Sequence, residues 1–231
     1  MILRGRRFYL ATTIDAPEAS QYDPIGALGV DLGIVNLAVD SDGTAYKGAS
    51  VQKVMVRNEL IKSKLQKVGS KSAKRHLNRI SGREARHRRN VNHIISKKLV
   101  AKAKDTERAI ALENLTGILA QTTVRKAQRR RHNSWGFYQL RQFVDYKAKI
   151  AGVPVVYVNP RGTSHTCPRC RLRDKGNRPT RELFKCVGCG FAGPADYVAA
   201  LNIVARASVN EPIVAPTLTG SYKPMTSVMG S

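Results

Sequence analysis

Two cysteine pairs, Cys167-Pro168-Arg169-Cys170 and Cys186-Val187-Gly188-Cys189, hold all four thiols of the 231-residue chain. The spacing C-x2-C-x15-C-x2-C is that of a zinc ribbon, in which two tight turns each present two thiolates to one tetrahedral ion. Two disulfides are the alternative. Four thiols confined to 23 residues, in a chain that opens without a charged-then-apolar leader, favour metal. Seven residues beyond Cys189 stands Asp196, with Ala199, Ala200, Ile203 and Val204 following at helical spacing. That pattern turns an acid at the head of a helix toward the core. A carboxylate so placed is costly without a partner, and a cation is the simplest one.

Two more acids end apolar runs. Asp31 closes Ile25 to Asp31, and Glu113 closes Arg108 to Glu113. Each has a dull reading: Asp31 as a turn cap, Glu113 as a strand end, Asp196 as a helix N-cap. Their joint meaning comes from the order of elements around them. Ile25 to Asp31 reads as a buried strand, and Ile34 to Asp40 and Ala45 to Lys47 fold back through the turn Ser41-Asp42-Gly43-Thr44 as a three-strand meander. Val51 to Lys104 is basic and helix-friendly, with a break expected near Gly69-Ser70 or Ser81-Gly82. A fourth strand, a basic connector at 121–132, a helix capped by Ser134 and stopped by Gly152, a strand at Val153 to Val158, the ribbon and a last helix at Ala195 to Ala207 complete the order. Residues 208–231, with three prolines and no periodicity, read as a disordered tail.

This is the element order of an α/β, RNase H-like mixed sheet with flanking helices and an inserted four-cysteine ribbon. The implied division is a strand or linker at 1–24, a nuclease-type domain at 25–160 and 195–207, and the ribbon at 161–194. In such a sheet the first and fourth strands are neighbours and the last helix crosses them, so Asp31, Glu113 and Asp196 converge. Three packed carboxylates repel and lose water unless divalent cations neutralise them. Two hard cations about 3.5–4 Å apart activate water and stabilise the leaving oxygen of a phosphodiester.

Charge points to the same partner. Lys and Arg number 40 against 16 acids, a formal net charge of +24, and such a field attracts polyanions. Residues 53–104 hold 17 of these cations and only two acids, Glu59 and Glu84. Within that stretch Lys71, Lys74, Arg75, Arg79, Arg83, Arg86, Arg88 and Arg89, and in the connector Arg129, Arg130 and Arg131, are candidate phosphate contacts. A solvated helix face ordinarily mixes signs. No apolar run approaches the roughly 20 residues of a membrane span, and cysteines reserved for metal suit a reducing cytoplasm.

At these residues the chain resembles a known family. Gly29-Val30-Asp31-Leu32-Gly33, Leu112-Glu113-Asn114-Leu115-Thr116-Gly117-Ile118, Ser134-Trp135-Gly136-Phe137-Tyr138-Gln139-Leu140-Arg141, the ribbon and Asp196-Tyr197-Val198-Ala199-Ala200-Leu201-Asn202-Ile203 are similar to the RuvC-like and ribbon portion of TnpB. TnpB is the OrfB protein of insertion sequences and a relative of type V CRISPR effectors. The resemblance implies a magnesium- or manganese-dependent DNA endonuclease guided by RNA made from the element, with Asp31, Glu113 and Asp196 as catalytic metal ligands. The chain departs from the family pattern at Arg171, where Gly is usual, at Pro194, where Asp is usual, and at Val198, where Asn is frequent. The family also carries an N-terminal helical and β-barrel region that grips guide RNA and target DNA. Here 24 residues precede the first catalytic strand, which reads as a C-terminal portion, with Arg6 to Ile14 as the last barrel strand.

Two readings of function compete: a TnpB-type nuclease, and a nucleic-acid-binding protein whose acids no longer catalyse. A ribbon serving only as a protein scaffold fits the charge poorly. On the cysteine spacing, the reduced, purified protein is expected to carry one zinc per chain and Cys186→Ser to lose it. Wild-type protein without stoichiometric zinc on metal analysis would refute the ribbon.

Overall fold

A computed structural model describes residues 1–4, 7–10, 12, 15–115 and 137–209. Its centre is a five-stranded mixed sheet in the order β5-β4-β3-β6-β7. β3 (Ala27–Asp31), β4 (Asn36–Asp40) and β5 (Ala45–Lys47) form the antiparallel meander expected from the apolar runs and the turn at Ser41-Asp42-Gly43-Thr44. β6 (Ala109–Glu113) then inserts parallel to β3, and β7 (Val155–Val158) parallel to β6. Crossovers supply the helices: α1 (Ala49–Val68) and α2 (Lys71–Asp105) precede β6, and α3 (Phe137–Ala151) precedes β7.

The helical break falls at Gly69-Ser70. Gly69 takes φ +66°, the left-handed conformation that glycine adopts without a Cβ penalty, and the Ser70 side chain caps α2 by accepting from the Ala73 amide. Gly82 stays helical. On either side of it Ile80 is buried, and Glu84 holds α1 through Lys62 at 2.7 Å and Asn58 at 3.2 Å. The Ser134 cap and the 121–132 connector lie outside the described residues, as does the tail beyond Val209. α3 buries Leu140, Val144 and Ala148 as its spacing predicts and ends at Gly152, φ +73°.

Residues 1–24 contain a hairpin, β1 (Ile2–Arg4) with β2 (Arg7–Tyr9), where the sequence suggested one strand reaching Ile14. The segment after it is tied down. The Tyr22 hydroxyl lies within hydrogen-bond reach of the carbonyls of Ala103 and Arg108, at 3.2 and 3.0 Å, and its backbone amide donates to the Gly152 carbonyl.

The two sheet faces differ in side-chain size, and that difference places the last helix. Leu28 and Val30 of β3, with Ile110 and Leu112 of β6, point into the main core against Ile95, Leu99, Leu140 and Val144 of α2 and α3. Their alternates, Ala27, Gly29 and Ala111, face α4 (Ala195–Val209) with Val158 and Ile203. Small residues let α4 lie close: a Cβ on Gly29 would stand 2.3 Å from the Ala200 carbonyl and 2.7 Å from Val204. The ribbon strands β8 (Leu183–Lys185) and β9 (Ala192–Pro194) form a separate antiparallel pair, and β9 runs directly into α4. Among the described residues no helix is long and apolar enough to cross a membrane.

Gly29→Ala is therefore expected to force backbone apart from backbone and to cost about 1–3 kcal/mol. The midpoint of urea unfolding checks it, and an unchanged midpoint would show that α4 is not seated on β3 as described.

Candidate functional site

Sheet periodicity carries the acids to one place. Asp31 shares a face with Gly29, and Glu113 shares a face with Ala111, so both carboxylates lie on the α4 side. The parallel register pairs Val30 with Leu112, which sets Asp31 beside Glu113 one residue further on, at the C-terminal edge of both strands. Asp196, in the first turn of α4, completes the group. All three side chains are partly buried.

Their electrostatics are those of a crowded anionic site. Burial first, then the charges of Glu113 and Asp196, push the Asp31 carboxyl up to about 8 against the pull of Arg178. Burial also raises Glu113, with the Thr163 hydroxyl and the Arg206 charge pulling the other way. Asp196 accepts from the Asn36 amide at 3.0 Å and stands 3.8 Å from the Arg178 guanidinium. The glycines on either side of Asp31 have physical reasons. Gly29 admits α4, and a Cβ at Gly33 would stand 2.7 Å from the Asn36 carbonyl and 3.9 Å from Asp196.

A buried acid elsewhere shows the contrast. Asp40 is 0% exposed, yet Lys102 reaches it at 2.7 Å and the amides of Asp42 and Thr44 donate to it. That carboxylate is fully partnered and structural.

The four cysteines meet as their spacing predicts. Their sulfurs all lie within 4.8 Å of one another, the one such ligand set among the described residues, so the three carboxylates are spread more widely. Cys167 and Cys189 are 3.6 Å apart and Cys170 and Cys186 3.5 Å, far beyond the ~2.05 Å of a disulfide. Zinc–thiolate bonds of about 2.3 Å place tetrahedral sulfurs roughly 3.8 Å apart, so the cage fits one such ion. The Cys189 amide chiefly, with the neighbouring Gly188 amide and thiols, pulls Cys186 down to about 6. Against the pull of the Leu172 amide, burial and the other three thiols raise Cys170, so the four do not all ionise without a cation among them. Phe184, Cys167 and Cys186 pack with Ala195 and Val198 of α4, so the ribbon is seated on the turn that carries Asp196. This explains the apolar residue at 198: its side chain is 0% exposed in the ribbon core.

Several site residues escaped the sequence reading. Thr163 and Arg178 come from turns and loops without periodicity, Asn36 opens β4, Arg206 lies near the end of α4, and Asn202 appeared only as part of a helix motif. The candidate phosphate contacts on α2 divide by helical position. Lys71, Arg75, Arg79, Arg83, Arg86 and Arg89 share one exposed face, Lys74 is exposed on another, and Arg88 is half-buried. Arg129, Arg130 and Arg131 lie outside the described residues.

An RNase H-like sheet with three carboxylates at its parallel edge, and a four-cysteine knuckle feeding the helix of the third, defines a RuvC-like nuclease-type fold. Residues 13–116 match the OrfB_IS605 family, described as a probable transposase, and residues 137–203 match the Cas12f1-like TNB domain. Over these two stretches the chain is similar to the TnpB (OrfB) and Cas12f proteins. It is 35% identical over 71% of its length to the TnpB-like protein MJ0751 of Methanocaldococcus jannaschii, covering 62% of that protein. To the CRISPR-associated endodeoxyribonuclease Cas12f2 of a Micrarchaeota archaeon it is 30% identical over 91% of its length, covering 42%. Its fold matches that of Cas12f1 in a complex with sgRNA and target DNA, with TM-score 0.59 at 20% identity, 83% of this chain and 51% of that one aligned. The chain thus spans about half the length of the relatives it matches.

Arg171 occupies the position where the family pattern has glycine, and its φ is +62°. Left-handed geometry costs a side-chain-bearing residue about 1–2 kcal/mol, while glycine adds about 0.5–1 kcal/mol of chain entropy. Arg171→Gly is expected to raise the melting temperature of the metal-loaded protein, by a stability gain of about 0.5–1 kcal/mol. A lowered melting temperature would mean that the arginine side chain makes contacts outweighing the strain.

Proposed function

We propose that the chain is the catalytic portion of an RNA-guided DNA endonuclease of insertion-sequence type, acting in the cytoplasm, with the nuclease domain at 25–160 and 195–207 and the ribbon at 161–194. The observation that carries this reading is the convergence of Asp31, Glu113 and Asp196, with Asp31 pushed up to about 8 by burial and the other two acids. Such a cluster is short of positive charge, and its donors are the hard oxygens that magnesium or manganese prefers. When bound, these ions supply activation of water and charge neutralisation at the leaving oxygen.

The residues divide the remaining work. Asp31, Glu113 and Asp196 hold the cations, and Asn36 orients the Asp196 carboxylate. Arg178 brings a guanidinium from the ribbon to the same edge, where it faces the charge of a bound phosphate. Zinc in the four-cysteine cage holds the ribbon that carries Arg178. The cationic face of α2 supplies phosphate contacts of the kind that follow backbone geometry, for DNA and for guide RNA, and those contacts weaken steeply with salt.

The test measures cleavage of single-stranded and plasmid DNA with and without element-derived RNA, in magnesium or manganese. Asp31→Ala, Glu113→Ala and Asp196→Ala are each expected to lower cleavage about a hundredfold or more while nucleic-acid binding and its salt dependence persist. Wild-type protein that binds but never cuts favours the binding-only reading. Cleavage at normal rate in Asp196→Ala overturns the assignment of the acids.

A further inference from the structure

We propose that Thr163 is a positioning residue for Glu113, held in place by Asn202 of α4. The inference rests on the metal-dependent reading of the three acids and concerns a side chain outside that set. Thr163 lies in the turn between β7 and the ribbon, four residues before Cys167, and is 2% exposed. Its hydroxyl donates to Glu113 Oε1 and lies 2.9 Å from the Pro160 carbonyl. A hydroxyl has one proton, and here it has two acceptors. The charged carboxylate is the stronger of the two, so an ionised Glu113 takes the hydrogen bond and has one oxygen fixed. The other oxygen is not engaged by Thr163.

A hydroxyl orients a ligand only if its own backbone is fixed, and α4 does this twice. Asn202 is 2% exposed, and its amide donates to the carbonyls of Thr163 and Thr166, both at 2.7 Å. One turn further along, the Arg206 guanidinium donates to the carbonyls of Asn159 and Arg161, the latter at 2.9 Å. The turn also closes on itself, with the Thr166 hydroxyl donating to Gly162 at 2.8 Å. The helix that supplies Asp196 thus also clamps the loop that steers Glu113, so two of the three acids are set by one rigid body.

Partners of this kind around a metal-binding carboxylate fix its direction and basicity, and losing one typically weakens metal affinity about 10–100-fold. Thr163→Val keeps the branched shape in a buried position and removes only the hydroxyl, whereas Thr163→Ser keeps the hydroxyl.

The experiment titrates Mn²⁺ into the full chain carrying its ribbon metal, reading free Mn²⁺ by electron paramagnetic resonance, with zinc content and melting temperature measured in parallel. Wild-type protein is expected to take up Mn²⁺ and Asp31→Ala to lose the uptake. Thr163→Val is expected to weaken it about tenfold or more with zinc content unchanged, and Thr163→Ser to stay within about threefold of wild type. If Thr163→Val fails to fold, Thr163→Ala takes its place, again compared with the serine variant. Uptake lost in Asp31→Ala but equal in Thr163→Val and wild type overturns the Thr163 assignment alone, as does serine failing to restore what valine loses. A wild type that takes up no Mn²⁺, or as much as Asp31→Ala, overturns the three-acid reading and this inference with it.

Discussion

The close seating of α4 on β3 is the constraint from which the site follows. Side chains ordinarily hold a helix off the surface it packs on. At Gly29 the side chain is missing, and the space a Cβ would fill is taken by the Ala200 carbonyl and Val204. Ala27 and Ala111 continue that face of the sheet and pack with Ile203 of α4. The large residues sit on the opposite face, where α2 and α3 supply the apolar core. Fully burying a side chain such as Leu28 or Ile110 contributes about 1.5–3 kcal/mol, so the stability that tolerates an anionic site lies mainly on the far side of the sheet.

What α4 brings to the sheet edge is unfavourable by itself. Three acids share one end of the sheet, met by Arg178 at 3.8 Å from Asp196 and by the charge of Arg206 acting on Glu113. Asp40 makes the comparison within one strand pair. It is more deeply buried than the three acids, but it has Lys102 at 2.7 Å and two backbone amides, while Asp42 beside it is held well below the carboxylate range, chiefly by Arg108. The chain has cations enough to neutralise an acid where only structure is at stake. At the Asp31 edge it leaves the charge largely unmet, which is the arrangement that a divalent ion stabilises.

Much of this was legible in residue type and spacing, because the informative features were periodic or local. Short apolar runs and the turn at Ser41-Asp42-Gly43-Thr44 marked the meander and the two later strands, the i, i+4 pattern marked the core face of α3, and cysteine spacing marked the ribbon. The helical break shows where such reasoning branches. Gly69-Ser70 and Ser81-Gly82 are similar as sequence, and the choice between them depends on a tertiary contact, Glu84 reaching Lys62 and Asn58 on α1. Thr163 and Arg178 were invisible for a related reason. Both stand in irregular backbone whose path is set by the metal cage and by α4, so no period marks them as facing the acids.

Arg171 and Val198 show that departures from a family pattern need not touch chemistry. The first keeps a left-handed backbone despite its side chain, because the turn that closes through the Cys167 carbonyl at 3.0 Å fixes the geometry. The second fills the ribbon core beside Phe184. Its neighbours on α4 point elsewhere: Asp196 toward the sheet edge, Asn202 toward the Thr163 turn. One helix therefore has a face for the ribbon, a face for the sheet and a polar edge for the loop between them. The four-cysteine cage organises one end of that loop and α4 clamps its length, so losing a metal held in that cage would act on Glu113 through backbone geometry rather than through charge.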